Sequence, residues 1–551
     1  MIICHYCNEE TKDKEFCDKC SKFLGNTNIQ HLEKNFQDNV RQYHRCTLNC
    51  IALPCDFDIK HTIYLNYDSI QSPLQVDHND GKVYFIDKNE INLEDYIKNN
   101  DLSFDDIYKI VYKIGEILLY IQSKGYILAS FNISDFWVDN NSISNIIYRQ
   151  TRRLLKRNDN FNNYLVGKIY APEILSEDMD CLDTSTDVYI LGKLLMNLIT
   201  MNKIYINDYK HERFIIYNLN LFIKDIPNGL QNWIGKSTDI YNEKRYSDIQ
   251  TSLNELKHLY EIKKLRDKDD NNILFTCDST TDVGKGKLEK SNNKEKANED
   301  SRLIIKDREK LFIMVSDGVS NCSYGTGYDA SNIIKDVCID LWNKRVNDLE
   351  SQNDIEFFIK NIINESNKRI FESVKENINQ PINSEHGIMA ATFSVAIIIK
   401  NKLYYTSLGD SPIYIINKKS ISRLNIEDNY GNEKLKEGMP WEQFIELEGK
   451  SSLTKYIGGN FAPIYKERAI IFELKTLNLV KDDILLICSD GLTDYIGDIL
   501  DGDDMCARDN CIIDVFSEEN ENLKNINSKL VELANDNGGG DNITIALVKA
   551  H

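Results

Sequence analysis

Residues 311–320 read LFIMVSDGVS, an apolar run that stops at Asp317-Gly318. An apolar run of this length, bounded by polar residues, predicts a strand buried in a sheet. The same pattern returns in three other segments, each with an aspartate at one end of the run: LYYTSLGDSPIYII (403–416, Asp410), DDILLICSDGLTD (482–494, Asp490) and GGGDNITIALVKA (538–550, Asp541). We therefore expect buried strands whose ends carry carboxylates.

Carboxylates at the ends of buried strands repel one another if the fold brings them together. When no lysine or arginine is obliged to pair with them, a hard divalent cation is the usual counter-charge. A glycine after the aspartate leaves room for a backbone carbonyl to reach the same ion. Sites with two such ions, roughly 3.5–4 Å apart, activate a water molecule for in-line attack at phosphorus. A single Asp-Gly is usually a turn, so the prediction depends on the joint occurrence of the segments.

The C-terminal half, residues 273–551, carries ordered motifs over its whole length. They are TDVGKGK (281–287), NEDS (298–301), SDGVS (316–320), GDSPIYI (409–415), SSLTKYIGG (451–459), SDGLTD (489–494) and GGDNIT (539–544). This set resembles the type 2C metal-dependent protein Ser/Thr phosphatases. The resemblance implies a two-sheet antiparallel β-sandwich flanked by helices, with the metals in a cleft at one end of the sheets. The runs 393–400 and 403–410 suit a hairpin of such a sheet, and residues 328–346 suit a flanking helix.

The resemblance also implies a role for each site residue. Asp317 would bridge two metals, Mn2+ or Mg2+, and the Gly318 carbonyl would bind one of them. Asp490 and Asp541 would complete the ligands of the other, so that Asp317, Asp490 and Asp541 form the catalytic set. The remaining implied roles are those of Glu299 and Asp300 acting through metal-bound water, Asp410 holding a weaker third metal with Asp490, and Asn542 orienting Asp541.

The sequence departs from the family pattern around the substrate phosphate. Lys287 stands at the spacing where the family has an arginine that grips the phosphate, and a lysine offers a point charge rather than a bidentate fork. Lys294 and Lys296, in a charged insertion that follows, are alternatives that the sequence does not separate. Val319 stands where some members have a histidine that acts as general acid, and Pro412 replaces the arginine of G-D-S-R. None of these changes removes an implied metal ligand.

Residues 30–262 resemble the C-lobe of a protein kinase, most clearly in their second half. The ordered segments are NLEDYIK (92–98), GYILASFNISDFWVDN (125–140), GKIYAPEIL (167–175), DVYILGKLLMNLIT (187–200) and KRYSDIQTSLNEL (244–256). Residues 170–173 match the family's APE segment, and Asp187 and Gly192 match the start of its large central helix. Arg245 matches the arginine that pairs with the glutamate of that segment, Glu173.

Helical periodicity in the same region predicts three long helices. The first spans 103–124, with Ser103 as its N-cap and Asp106 three residues further on. The second spans about 187–200 and the third about 247–260. By themselves these helices indicate only a helical domain, which is the alternative to a kinase-like fold.

The groups that a kinase needs for catalysis are missing. Residues 128–130 read LAS where the family has His-Arg-Asp, so no base accepts a substrate proton. Asp135 takes the place of the metal-binding asparagine, and residues 148–150 read YRQ near the place of D-F-G. Residues 26–80 contain no glycine, so no Gly-rich loop covers a phosphate. The resemblance therefore implies a pseudokinase, in which Asp135 and Asp139 are solvated loop carboxylates.

Two Cys-x2-Cys pairs lie near the start of the sequence: Cys4 with Cys7, and Cys17 with Cys20. Four thiolates on two tight turns suit a tetrahedral Zn2+ ion, and so short a segment needs the metal in order to fold. We therefore predict a zinc ribbon over residues 1–24 that holds one structural Zn2+. Chance pairing among the 14 cysteines is the alternative.

The length and composition are those of a globular multidomain protein, and the two resemblances imply that its fold class is α+β. Of the 551 residues, 42% are hydrophobic and 28% are charged, and the net charge is −20. The acidic balance argues against nucleic acid as a partner, and no apolar run reaches the ~20 residues of a membrane helix. The first residues lack the pattern of a secretory signal, so the predicted location is the cytoplasm. The charge-mixed run KKLRDKDDNN (263–272) is expected to be a linker.

These observations predict three domains: a short zinc ribbon (1–24), a mostly helical kinase-like domain (30–262) and a phosphatase domain (273–551). The predicted function is hydrolysis of phosphoserine and phosphothreonine in a phosphoprotein substrate. The attacking water would be activated by two Mn2+ or Mg2+ ions, or by three. The degenerate kinase domain would regulate the phosphatase or dock a partner protein. The alternative is a catalytically inactive pseudokinase–pseudophosphatase scaffold, which the missing arginine favours and the complete aspartate set opposes.

Overall fold

The structure of this chain is a computed structural model. It describes residues 2–3, 10–11, 41–43, 46–48, 50–54, 65, 67–71, 75–77, 82–86, 90–139, 142–156, 166–175, 182–200, 209–223, 226–268, 273–291, 297–320, 322–377, 387–418, 420–459, 470–497, 505–519 and 522–551. The predicted zinc ligands Cys4, Cys7, Cys17 and Cys20 lie outside these residues, as do Lys294 and Lys296. The chain divides into two compact units. Unit 1 comprises Met1–Tyr205 and Trp233–Lys257, and unit 2 comprises Ile206–Asn232 and His258–His551.

The strands of unit 1 are short. They are β1 (Ile2–Ile3), β2 (Glu10–Thr11), β3 (Arg41–Tyr43), β4 (Cys46–Leu48), β5 (Cys50–Pro54), β6 (Ile70–Gln71), β7 (Gln75–Asp77), β8 (Lys82–Ile86), β9 (Ile91–Asn92), β10 (Ser130–Phe131), β11 (Phe136–Val138), β12 (Ile146–Arg149) and β13 (Ile169–Tyr170). The larger sheets have the strand orders β6-β12-β11-β9 and β5-β8-β7, and the remaining strands pair as β1-β2, β3-β4 and β10-β13.

The helices are numbered along the whole chain. They are α1 (Leu93–Asn99), α2 (Phe104–Ser123), α3 (Thr184–Thr200), α4 (Tyr209–Tyr217), α5 (Leu219–Phe222), α6 (Leu230–Ser237), α7 (Ile249–Arg266), α8 (Lys285–Lys290), α9 (Gly327–Arg345), α10 (Gln352–Asn377), α11 (Tyr430–Lys436), α12 (Trp441–Ile445), α13 (Asp490–Thr493), α14 (Met505–Glu518) and α15 (Leu523–Asp536). The helices predicted near 103–124, 187–200 and 247–260 are confirmed as α2, α3 and α7. Ser103 and Asp106 form the expected capping box, in which each side chain accepts the other residue's backbone N–H.

Two buried contacts in unit 1 involve residues that the kinase resemblance singled out. The Arg245 guanidinium donates to both oxygens of Glu173, at 2.7 and 3.1 Å, and this pair is the one that the sequence predicted. The Asp187 carboxylate, at the start of α3, accepts the backbone N–H groups of Leu128 and Ala129 at 3.0 and 2.8 Å. Ala129 has a φ of +61°, a left-handed conformation that a non-glycine residue adopts at a cost. Asp187 therefore helps to fix the turn formed by residues 128–130.

The expectation that Asp135 is a solvated loop carboxylate is wrong. Its side chain is buried and accepts Arg152 Nε at 2.7 Å and Thr151 Oγ1 at 2.9 Å. The backbone N–H of Asn132 also donates to the Asp135 carboxylate. Because a buried carboxylate is stable only when it is paired or hydrogen-bonded, the guanidinium of Arg152 supplies the counter-charge that the sequence pattern did not reveal.

Unit 2 contains two five-stranded antiparallel sheets, as the resemblance implied for the C-terminal half. Their strands are β14 (Phe275–Asp282), β15 (Ser301–Asp307), β16 (Lys310–Ser316), β17 (Ala390–Ala391), β18 (Phe393–Ile399), β19 (Lys402–Leu408), β20 (Ile413–Asn417), β21 (Ser420–Arg423), β22 (Ile457–Gly458), β23 (Lys475–Asn478), β24 (Asp483–Cys488) and β25 (Ile543–Ala550). The sheets have the orders β14-β25-β24-β20-β21 and β15-β16-β18-β19-β23, and β17 pairs with β22. The predicted hairpin is confirmed, with Ile399 opposite Lys402.

Alternation along the strands places a hydrophobic layer between the sheets and another on each outer face. In β16, Leu311, Ile313 and Val315 pack in the layer shared with β20, β24 and β25. The intervening Phe312 and Met314 point to the other face, against α9 and α10. The sheet of order β14-β25-β24-β20-β21 packs its outer face on α14 and α15 in the same way. This period of two is what a strand buried on both faces requires, and it produces a β-sandwich flanked by helices.

The prediction of a linker over 263–272 is wrong at its start, because α7 continues through Arg266. The Arg266 guanidinium forms a bidentate ion pair with Asp483 at 2.6 and 2.9 Å, and the two residues are 8% and 1% exposed. Asn417 Nδ2 also donates to Asp483 at 2.8 Å. A run of mixed charges usually lies in solvent, but this arginine compensates a buried carboxylate at the start of β24 and is therefore structural.

Among the residues that the structure describes, no helix combines the length and the apolar character needed to span a membrane.

Candidate metal centre

The aspartates of the quoted segments follow or precede strands at one end of the two sheets. Asp317 directly follows β16. Asp490 lies two residues after the end of β24, and Asp541 lies two residues before the start of β25. The carboxyl groups of Asp317 and Asp490 are close enough to share a proton, and the charge of Asp541 acts on Asp317. Asp317 and Asp541 lie more than 220 positions apart in the sequence. The structure therefore brings together carboxylates from distant segments, with Asp490 as the third.

Thr392 holds the backbone on both sides of the Asp317 Cα. Its Oγ1 accepts the Asp317 N–H at 2.9 Å, and its own N–H donates to the Asp317 carbonyl at 2.8 Å. The hydroxyl groups of Thr392 and Ser411 are 2.7 Å apart, which links this turn to the loop that carries Asp410. A turn that is bonded at both peptide groups presents its side chain in one direction, so Asp317 is preorganised.

Gly318 is required by the approach of two backbones. A Cβ atom built on Gly318 would collide with the carbonyl of Gly327, the first residue of α9, and with the Glu299 carbonyl. The reverse substitution at Gly327 would meet Gly318 in the same way. The absence of a side chain keeps the peptide group that follows Asp317 next to the carboxylate cluster, where the sequence placed a carbonyl ligand.

Asp300 extends the cluster on the side of β24. Ser489 Oγ donates to Asp300 Oδ2 at 2.7 Å, and the backbone N–H of Asp300 donates to Asn298 Oδ1 at 3.1 Å. The other oxygen, Asp300 Oδ1, and the Oδ1 atom of Asp490 are both buried, and neither has a hydrogen-bond partner among the residues that the structure describes. Unsatisfied buried carboxylate oxygens are expensive, so these atoms indicate that a ligand completes the site.

The pKa shifts of the cluster reflect the same lack of a positive counter-charge for its carboxylates. Burial, with repulsion from Asp300, raises the pKa of Asp317 well above its usual range, and burial with repulsion from Asp317 does so for Asp490. Burial raises the pKa of Asp300 to about 7 even though Ser489 and Thr544 donate to it. Without a cation the cluster must retain protons, and a divalent ion would replace those protons as the counter-charge.

Asp410 lies at the edge of the cluster. Burial, followed by repulsion from Glu427, raises the pKa of Asp410 to about 6. Asp410 also contributes to the repulsion that acts on Asp317 and Asp490. Among the described residues, no three Asp, Glu, His or Cys side chains are already gathered at the spacing of a metal cage. The carboxylates are therefore neighbours whose side chains would have to close around an ion.

Lys287 brings a positive charge to the side of the cluster that carries Asp541 and Glu299. Its Nζ lies 2.6 Å from Asp541 Oδ1 and 3.1 Å from Glu299 Oε2, and 3.4 Å from the hydroxyl of Ser320. Burial disfavours its charge, but the hydrogen bonds and attraction from Asp541 and Glu299 are stronger and raise the pKa of Lys287. Lys287 therefore stays protonated and bridges two carboxylates that the sequence placed at the metals.

Asn542 fixes the loop before β25. Its Oδ1 accepts the Glu299 N–H at 2.8 Å, and its Nδ2 donates to the carbonyls of Val283 and Ala297. The bond between Asn542 and Asp541 uses the Asn542 backbone N–H, which donates to the Asp541 carboxylate at 2.7 Å. The side chain of Asn542 therefore positions the Glu299 segment, while its backbone orients Asp541.

Sequence reasoning missed three hydroxyl residues that hold the cluster. Ser489 lies within the quoted SDGLTD motif, so its position beside Asp490 was a usable signal. Ser320 ends the SDGVS motif and donates to Glu299. Thr392 carries no signal, because a threonine next to a long apolar strand is indistinguishable in sequence from one that packs in the strand.

Comparison with known proteins gives matches to the same half of the chain. Residues 290–527 match the family model described as Protein phosphatase 2C. Protein phosphatase PhpP of Streptococcus pneumoniae is 27% identical over 272 residues, which are 49% of this chain and 94% of that protein. A putative protein phosphatase of Mycoplasma pneumoniae is 25% identical over 278 residues, 49% of this chain and 97% of that protein. Among solved structures, the serine/threonine phosphatase of S. agalactiae aligns with a TM-score of 0.39 and 24% identity, over 50% of this chain and 99% of that one.

Proposed function

We propose that this chain, a protein serine/threonine phosphatase whose residues 290–527 are a protein phosphatase 2C domain, hydrolyses phosphoserine and phosphothreonine in protein substrates with the carboxylate cluster of unit 2. The observation that carries the proposal is the contact between Asp317 and Asp490, with two buried carboxylate oxygens beside it that have no partner among the described residues. For stability alone, neutral residues would serve better than a cluster of carboxylates that repel one another.

The donor set fits Mn2+ or Mg2+. Every candidate ligand offers oxygen, which is the donor that hard divalent cations prefer. Asp317 would bridge two ions, Gly318 would offer its carbonyl to one of them, and Asp490 and Asp541 would hold the other. Glu299, Asp300 and Asp410 are the outer candidates, and Asp410 would serve a third ion. When bound, such ions act as Lewis acids and lower the pKa of water, which supplies a nucleophile at neutral pH.

The chain's own residues would bind and orient the phosphate. Lys287 remains protonated beside the cluster and is the cation placed to contact a phosphate oxygen once ions share Asp541 and Glu299 with it. The Thr392–Ser411 pair keeps Asp317 in position during the reaction, and Asn542 keeps the Glu299 segment in place. Since a lysine lacks the bidentate fork of an arginine, we expect phosphate affinity to be modest.

We further propose that unit 1 contains a pseudokinase that regulates the phosphatase or docks a partner protein. The Arg245–Glu173 pair and the Asp187 contacts support kinase ancestry. The Arg152–Asp135 pair opposes catalysis, because a guanidinium occupies the carboxylate at the place of the metal-binding asparagine. A zinc ribbon at residues 1–24 and a cytoplasmic location belong to the same proposal.

The direct test measures hydrolysis of an aryl phosphate by the full chain, with and without Mn2+ and with EDTA. We expect Mn2+-dependent turnover that EDTA abolishes and that Asp317→Ala and Asp490→Ala remove. Asp514→Ala is the matched control, since Asp514 is an exposed aspartate of the same unit. Turnover that survives both EDTA and Asp317→Ala would contradict the metal-dependent mechanism.

The alternative is a non-catalytic scaffold, and one observation favours it. Lys287, the residue in the place of the phosphate-gripping arginine, is engaged by Asp541 and Glu299 rather than open to a substrate. The same assay decides: no turnover at any Mn2+ or Mg2+ concentration, in a folded chain, would replace the hydrolase with a binding module.

A further inference from the structure

Two helices from the middle of the kinase-like sequence belong to unit 2. Residues 206–232 cluster with unit 2 although they lie within the region 30–262. Here α4 and α5, residues 209–222, are called the inserted helices. Ile215, Ile216 and Leu219 of this segment are at most 1% exposed. The segment is therefore packed into unit 2 by a hydrophobic face of its own and is not a loosely attached loop.

An aromatic cluster holds the inserted helices against α12. The rings of His211 and Trp441 are stacked, with centroids 4.4 Å apart and planes inclined by 4°. Phe214 packs against the rings of both Trp441 and Phe444, at centroid distances of 5.3 and 5.0 Å, and those two rings also stack on each other. Contacts of this kind fix orientation as well as contributing apolar burial, so the end of α4 has a defined position relative to β21 and α12.

The C-terminal residue of α4 reaches the candidate metal centre through a single arginine. The Tyr217 hydroxyl accepts Arg423 NH1 at 3.1 Å, and it lies 3.3 Å from the Tyr414 hydroxyl. Arg423 NH2 donates to the Asp410 carbonyl at 3.1 Å, and NH1 also donates to Glu427 at 2.7 Å. Arg423 is 8% exposed. A buried guanidinium with three acceptors on different segments acts as a rigid connector.

The same segment bonds the backbone of Arg423. Asn220 Nδ2, in α5, donates to the Arg423 carbonyl at 3.3 Å. The two neighbours of Asp410 have contacts of their own. The Asp428 backbone N–H donates to the Gly409 carbonyl at 2.9 Å and its carboxylate accepts the Gly409 N–H at 3.4 Å, while the Ser411 carbonyl accepts Ser394 Oγ at 2.7 Å and Asn425 Nδ2 at 3.0 Å. Between these anchored neighbours, Arg423 bonds the Asp410 carbonyl itself, and the inserted helices hold Arg423 at both its side chain and its backbone.

We propose that the inserted helices are a working part of the phosphatase and that Tyr217 is a positioning residue for Asp410. By holding the guanidinium of Arg423, Tyr217 fixes the Asp410 backbone and so the direction in which the Asp410 carboxylate meets a divalent ion. This inference rests on the proposed function for its catalytic consequence, but not for the structural coupling itself. It implies that a segment of the kinase-like sequence sets the ion affinity of the phosphatase site.

The test compares Tyr217→Phe with the control Tyr430→Phe in the full chain. Both variants remove one tyrosine hydroxyl from unit 2, and Tyr430 is 38% exposed. Hydrogen–deuterium exchange of the 409–411 backbone, measured without metal, is the readout that does not depend on activity. Because the bond to a charged donor is lost, we expect exchange there to be about tenfold faster in Tyr217→Phe and unchanged in Tyr430→Phe.

Kinetics give the second readout. The Mn2+ concentration for half-maximal turnover should rise about fivefold to tenfold in Tyr217→Phe, while kcat at saturating Mn2+ returns to the parent value. Arg423→Lys keeps the charge without the fork, so it should show the same two changes to a larger extent. Unaltered exchange at 409–411 in a folded Tyr217→Phe chain would overturn the proposal. A parent chain without phosphatase activity would overturn only the proposed function, because the exchange comparison still decides the coupling.

Discussion

Asp135 in unit 1 and Asp490 in unit 2 are both carboxylates set among buried groups, but their charges are balanced in different ways. Asp135 is paired by Arg152 and bonded by Thr151, so the chain supplies its complete counter-charge. Asp490 faces Asp317, and its Oδ1 atom lacks a partner among the described residues. A carboxylate that its own chain neutralises is structural, whereas a cluster that it leaves uncompensated requires protons or a cation. The comparison therefore assigns the chemistry to unit 2.

Removing the counter-charge in unit 1 should have the largest effect. Arg152→Ala leaves Asp135 buried without its cation, and breaking a buried pair from one side costs about 3–5 kcal/mol. Urea unfolding at pH 7 measures the loss, with the exposed neighbour Lys156→Ala as control. The double variant Asp135→Leu with Arg152→Met should recover most of the stability. A loss no greater than that of Lys156→Ala would show that Asp135 is not neutralised by Arg152.

The corresponding change in unit 2 should leave stability intact and abolish activity. Asp490→Asn removes one of the repelling charges, so we expect the metal-free protein to unfold at an equal or higher urea concentration. Phosphate release should fall by more than the roughly 100-fold that loss of an outer metal contact causes. Circular dichroism with urea and a phosphate-release assay measure the two quantities. Substantial destabilisation without metal would mean that Asp490 is structural, like Asp135.

Metal addition should distinguish the two sites further. Mn2+ at 100 times its dissociation constant should stabilise unit 2 by about 2.7 kcal/mol, because only the folded cluster binds it. Thermal unfolding with and without Mn2+ measures the shift, and Asp317→Asn should remove it. Should the parent and Asp317→Asn respond equally, the ion binds elsewhere.

The pH dependence of unit 1 offers a smaller test, centred on a carboxylate held by N–H donors. Burial raises the pKa of Asp187 to about 7, although Ala129, Gln122 and Leu128 donate to it. An unfolded aspartate titrates near pH 4, so between about pH 4 and 7 the folded state keeps a proton that the unfolded state has lost. The free energy of unfolding should fall as pH rises through this window, by up to about 1.4 kcal/mol per pH unit. Urea unfolding measured across this pH range should show no such dependence in Asp187→Asn. If the dependence on pH is the same in the variant, Asp187 does not retain the proton.

The smallest expected effect is at the cation of the active site. Lys287→Arg would offer a planar fork to the substrate phosphate, and we expect KM for a phosphopeptide to fall by about threefold with little change in kcat. Lys287→Met, which keeps the length and removes the charge, should instead raise KM. If neither variant alters KM, the lysine serves only to pair Asp541 and Glu299.

Strand-end aspartates were predictable because each lies in a pattern that is local. Asp317, Asp410, Asp490 and Asp541 interrupt apolar runs, and the order of their motifs was sufficient to predict a sandwich with carboxylates at one end. The capping box at Ser103 was also local. Periodicity indicates which residues face a core, and in this chain it predicted the helices near 103–124, 187–200 and 247–260, while apolar runs predicted the hairpin of 393–400 and 403–410.

Buried contacts that neither a local pattern nor a resemblance indicates were not predictable in this way. Arg152 and Asp135 are close in sequence, but nothing in a charged loop tells a buried pair from two solvated groups. Arg423 and Tyr217 lie about two hundred positions apart, and Thr392 is hidden in an apolar context. These contacts depend on the packing of elements in three dimensions, which the one-dimensional pattern does not contain.

The buried pair of Arg266 and Asp483 has a practical consequence. A recombinant fragment that begins at residue 273, where the predicted phosphatase domain begins, would discard the arginine and leave Asp483 in the interior with the neutral donors Asn417 Nδ2 and the Val480 N–H. Such a fragment should express poorly or demand acidic buffer, and its weak catalysis would be mistaken for a property of the active site. Extending the fragment to include the end of the preceding helix restores the missing positive charge.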